Sequence, residues 1–98
     1  MSKFQELINS GKPVLVDFYA TWCGPCKAQA PILEQVSEKV GETAHILKVD
    51  VDRNPQAASV YGVRAVPTLI LFRNGEIVWR HSGVASAAEL EQLIRSHS

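Results

Sequence analysis

"VDFYATWCGPCKAQAP", residues 16–31, decides the reading of this chain, because it runs from an apolar stretch into a helix and sets both cysteines of the sequence at the join. Upstream, "PVLVDFYA" (13–20) is nearly continuous in Val, Leu and aromatic residues, the composition of a strand buried on both faces. Downstream, Ile32, Leu33, Val36 and Val40 recur at helical spacing until Gly41, so a helix follows directly. Pro31 stands too deep in that helix to be a first-turn proline and is expected to kink it.

A strand that turns into a helix places Cys23 and Cys26 where backbone N–H groups lack helical partners and the helix dipole is positive, which favours an anion. The anion within reach is a thiolate. Cys23, at the start of the helix, is expected to have a lowered pKa and to be the exposed nucleophile of the pair. Cys26, one turn deeper and shielded, is close enough to attack any disulfide that Cys23 forms with a partner. Gly24 lets a partner's backbone approach, and Pro25 fits the first turn without losing a hydrogen bond. A structural clip is the weaker reading, since so short a loop constrains the unfolded chain little. A zinc site takes four ligands, and His45, His81 and His97 are scattered singly, so no metal is expected.

The other elements follow in order. Phe4, Leu7 and Ile8 fall at helical spacing before Gly11, and "AHILKVDV" (44–51) reads as a second strand. "NPQAASVYG" (54–62) has an Asn cap, a first-position Pro and a closing Gly, the marks of a short helix. "PTLILF" (67–72), Asn74-Gly75 and "EIVWRH" (76–81) make a hairpin signature, because both central positions of a type I′ turn need positive φ. Ser86 and Glu89 form a capping box before Leu90, Leu93 and Ile94. Strands joined through helices pair in parallel with right-handed crossovers, and the hairpin adds an antiparallel pair. An α/β fold is expected, with a mixed four-stranded sheet and helices on both faces.

With 98 residues and 46% hydrophobic content, the chain suits one domain over residues 1–98. Ten Lys and Arg balance ten Asp and Glu, so no basic field exists to hold nucleic acid. No apolar run reaches the roughly 18 residues of a membrane span, and "MSKFQELINSGK" lacks a signal-peptide core. A cytoplasmic protein is expected, and cysteines there are seldom kept as staples.

Taken together, "VDFYATWCGPCKAQAP", "VDVDRNP", "YGVRAVPTLILFRNGE" and "SGVAS" resemble the thioredoxin family over nearly the whole chain. A lone CxxC is modest evidence, whereas WCGPCK after "VDF", with "VPT" about forty residues on, is specific. The resemblance implies a thioredoxin fold and a general protein-disulfide reductase. In it Cys23 attacks a substrate disulfide and Cys26 resolves the mixed disulfide. It also implies that no cofactor is bound and that electrons come from NADPH through a flavin-dependent thioredoxin reductase. Disulfide-containing proteins and that reductase are the partners, and the protein is a monomer.

Asp17 interrupts an apolar strand; buried there, its carboxyl has its pKa raised by desolvation. The resemblance places it behind Cys26 as acid and base, with Lys48 as the cation that modulates it. Pro67 alone reads as a trans proline opening a strand, but "VPT" matches the family's cis-proline loop. Trp22, Gly24, Pro25, Val66 and Gly83 then form a docking surface, on which Val66 offers backbone hydrogen bonds to an extended substrate. The chain departs from the family in lacking its N-terminal strand, so "AHILKVDV" is expected at a sheet edge, protected by Lys48 and Asp50. Tyr19, Ala65 and Ser82 replace residues more frequent in the family. Two alternatives stay open: the same fold acting as an oxidase or isomerase, and a binding module without turnover.

Overall fold

The computed structural model describes residues 3–98; Met1 and Ser2, the start of the segment read for a leader, lie outside them. Four strands, β1 (Val14–Tyr19), β2 (His45–Asp50), β3 (Thr68–Arg73) and β4 (Glu76–Ser82), form one sheet in the order β2-β1-β3-β4. β1 pairs in parallel with β2 and antiparallel with β3, and β3 pairs antiparallel with β4. The sheet is therefore mixed, with β1 central and β2 at an edge. Central position explains the composition of β1, where Val14, Leu15, Val16, Asp17 and Phe18 are all buried.

Because strand side chains alternate between faces, the sheet sorts its residues into two cores. Leu15, Leu69 and Leu71 pack against Leu33, Val36 and Val40 of α2 (Gly24–Val40) and Leu90 and Ile94 of α4 (Ala87–Ser96). Val14, Val16, Phe18, Ile70 and Phe72 pack on the other side with Ile8 of α1 (Lys3–Ile8) and with Ala57 of α3 (Pro55–Val60). Phe4, Tyr61 and Phe72 add edge-on and tilted ring contacts there, with centroids 5.3–6.0 Å apart.

Local signals set the joints between elements. Asn74 and Gly75, with φ of 54° and 80°, turn β3 into β4, as a type I′ hairpin requires. Ser86 caps α4, its Oγ accepting the Glu89 N–H at 3.2 Å. Asn54 occupies the cap position of α3 without capping it. Its Nδ2 donates instead to the Asp50 carbonyl at 3.0 Å, because the chain leaving β2 bends back within reach. α2 continues through Pro31, which lies inside the helix on an exposed position.

Candidate active site

The end of β1 and the start of α2 create the site. Cys23 is the N-cap of α2, in extended conformation, and its Sγ accepts the Cys26 N–H at 3.1 Å. The two cysteines form a disulfide with Cα atoms 5.3 Å apart. Here the structure corrects one expectation. Cys23 is not the exposed member, since the two residues are 3% and 4% exposed. Ala20 shares their cluster, with Tyr19, Val51 and Val66 packed against it. What distinguishes the sulfurs is position on the helix, with Cys23 at the cap and Cys26 inside the first turn.

Asp17 is fully buried, and neither carboxylate oxygen has a hydrogen-bond partner. Alternation along β1 sends it to the same face as Leu15, the face covered by α2. Desolvation pushes its pKa up from 3.8 to about 6, and the charge of Lys48 works in the opposite direction. Lys48 is the β2 residue in register with Asp17. Its ammonium lies 4.6 Å from the centroid of the Tyr19 ring, a cation–π distance.

The loop before β3 closes the site from the other side. The Val66–Pro67 peptide bond is cis, and the Gly83 N–H donates to the Pro67 carbonyl at 2.9 Å. Thr68 Oγ1 donates to the Ala65 carbonyl at 2.6 Å and lies 3.2 Å from Ser82 Oγ. Gly24 and Pro25 are exposed, Val66 and Gly83 half-buried, and Trp22 stands out at 69% exposure. An open groove beside Trp22 is lined by Val51, Val63, Arg64, Ala65 and Val66.

Sequence reasoning missed three participants. Trp22 Nε1 donates to Asp52 Oδ2 at 2.8 Å, which orients the exposed indole; nothing local in "VDVDRNP" marks a partner thirty residues away. Thr68 braces the loop from behind. Gln29 is fully buried, and one signal could have found it, because it falls on the same helical face as Cys26, Leu33 and Val36. Among the described residues, no group of three or more His, Cys, Asp or Glu side chains could hold a metal ion. No helix among them is long and apolar enough to cross a membrane.

A disulfide at a helix N-terminus, a buried carboxyl under that helix and a cis-proline loop beside it are what a comparison with known proteins has to match. The thioredoxin family model matches residues 1–96. The chain belongs to the thioredoxin family. It is 47% identical over 95 residues to a thioredoxin-like protein of Synechocystis, covering 96% of this chain and 90% of that protein. It is 48% identical over 96 residues to the chloroplastic thioredoxin Y of Oryza sativa. That match takes in 97% of this chain and 57% of the rice protein, so the chain spans little more than half of that relative. Among solved structures, a mutant thioredoxin from Halobacterium salinarum superposes with a TM-score of 0.89 at 41% identity, covering 99% of this chain and 84% of that one. This thioredoxin-family chain is a thiol–disulfide oxidoreductase, with the Cys23–Cys26 pair as its redox centre.

Proposed function

We propose that the protein reduces disulfides in other proteins, working as a monomeric single domain over residues 1–98 in the cytoplasm. The observation that carries this reading is the place of Cys23 at the N-cap of α2, with the Cys26 N–H already aimed at its sulfur. On reduction of the pair, the thiolate left at Cys23 keeps that donor and the positive end of the helix dipole, both of which favour it over the thiol. Cys23 then attacks a substrate disulfide, forming a mixed disulfide and releasing one substrate thiolate. Asp17 takes the proton of Cys26, whose thiolate attacks the Cys23 sulfur of the mixed disulfide and expels the second substrate thiolate, which is protonated from Asp17 or water. The substrate gains two electrons, and the Cys23–Cys26 disulfide is restored.

A carboxyl with a pKa near 6 suits that task, because it can both accept and return a proton near neutral pH. Lys48 limits how far burial raises it. Trp22, Gly24, Pro25, Val66 and Gly83 receive the substrate segment, Val66 by strand-like hydrogen bonds. Electrons return from NADPH through a flavin-dependent thioredoxin reductase, so the protein itself carries no bound cofactor. Insulin-disulfide reduction coupled to thioredoxin reductase and NADPH tests the reading. Sustained NADPH consumption that depends on both Cys23 and Cys26 supports it; no turnover with either insulin or the reductase overturns it.

A further inference from the structure

Gln29 lies one helical turn beyond Cys26 and is 0% exposed, at a position where the spacing of α2 calls for an aliphatic side chain. A buried amide destabilises unless its donors and acceptors are met. One residue meets both ends. Gln29 Nε2 donates to the Ala85 carbonyl at 3.1 Å, and the Ala85 N–H donates to Gln29 Oε1 at 2.8 Å. Ala85 is itself only 2% exposed, so its backbone groups cannot turn to water without moving the chain.

The segment held in this way joins β4 to α4 and carries Gly83 and Val84. Val84 is 42% exposed, and Gly83 is tied through its N–H to Pro67. The Gln29–Ala85 pair therefore connects the helix of the cysteines to the segment that the cis-proline loop leans on, across 56 residues of sequence.

We propose that Gln29 is a positioning residue that holds the Gly83–Ala85 segment at a fixed place beside Cys23 and Cys26, and so sets affinity for protein disulfides over small ones. This rests on the protein-disulfide reading above. A protein substrate has to lie along Val66 and Gly83 while its sulfur meets Cys23, so a loose segment would have to be ordered at the moment of binding. A small disulfide meets the sulfurs alone and is indifferent to that segment. Methionine in place of Gln29 would fill similar space but leave two buried backbone groups without these bonds, a cost relieved by the segment moving outward.

The test uses the full chain, pre-reduced, in single-turnover reactions followed by tryptophan fluorescence, so that no reductase docking enters. Insulin is the protein substrate and 5,5′-dithiobis(2-nitrobenzoate) the small one. Gln29→Met should raise the half-saturating insulin concentration about five- to ten-fold, with the maximal rate and the small-disulfide rate within about two-fold of wild type. Gln29→Asn keeps an amide but is one methylene shorter, cannot bridge both Ala85 groups, and should shift in the same direction. Equal losses on both substrates would reduce Gln29 to a structural role, and unchanged insulin saturation would overturn the proposal. Hydrogen exchange on the unmodified protein decides the matter if neither variant folds. The Ala85 amide should be protected like the core of α2, and exchange at the rate of open loops would sink the clamp. Wild type that reduces the small disulfide but not insulin would instead bring down the protein-disulfide reading, and this inference with it.

Discussion

In the proposed mechanism Asp17 sets stability against chemistry within a single side chain. Its folded pKa of about 6 stands above the ordinary 3.8, so between those values the native state binds more protons than the unfolded chain. Stability therefore falls as pH rises through that window and levels off above it. Asp17→Asn, similar in shape and unable to ionise, should be more stable than wild type at pH 7 by about 3 kcal/mol, with the gain vanishing toward pH 4. Urea melts across pH measure it. Single-turnover disulfide reduction by the same variant should slow, since on the proposed mechanism Cys26 loses its proton acceptor. The two cysteines are told apart by a second substitution. Cys26→Ser should leave attack by Cys23 intact and remove the resolving step, so covalent complexes with substrate proteins should accumulate on a non-reducing gel and disappear with dithiothreitol. An absence of such complexes would argue against Cys23 as the attacking residue.

At the scale of elements, each joint is set by short-range chemistry, and the loss of one joint should be felt locally. The Ser86 Oγ bond to the Glu89 N–H satisfies a donor that the first turn of α4 cannot. Ser86→Ala should lower stability by about 1 kcal/mol and Ser86→Gly by only a few tenths. Chemical denaturation of both variants checks the order. Neither should change the rate on a small disulfide, because the cysteines stand on α2. The contrast with Asn54 is instructive. The same residue class at the same kind of position donates its Nδ2 to the Asp50 carbonyl and makes no side-chain cap on α3, because the turn after β2 holds the amide toward Asp50. A cap signal in sequence thus predicts where a helix starts more securely than which bond starts it.

For the whole molecule, stability and site geometry share one support. Leu90 of α4 is fully buried and packs in the cluster that also holds Leu15, Leu33, Leu69 and Ala85. Leu90→Ala should cost about 3 kcal/mol, as transfer and cavity effects add. Urea denaturation should show a lower midpoint with an unchanged slope. The sheet's two edges are β2 and β4, and exposed Lys48 on β2 is the kind of charge that discourages another strand from pairing there.

Much of this architecture was legible in the sequence because its signals are local. The continuous apolar run of β1, the Asn74-Gly75 turn and the helical spacing from Leu33 to Val40 each specify an element within a dozen residues, by periodicity and backbone sterics alone. The cysteine pair was equally legible, since a strand running into a helix fixes where its first turn lies. What the tertiary structure alone decided are relations between distant segments. The order β2-β1-β3-β4 brings Lys48 into register with Asp17. The bends after β1 and β2 bring Asp52 to the Nε1 of the Trp22 indole, and the packing of α4 on α2 brings Ala85 to Gln29. Near-equal burial of Cys23 and Cys26 likewise depends on Val51 and Val66 arriving from elsewhere in the chain. The physical reason is common to all of these. Propensity and periodicity act over one or two turns of chain, whereas hydrogen bonds and desolvation depend on which surfaces the completed sheet brings within a few ångströms of each other.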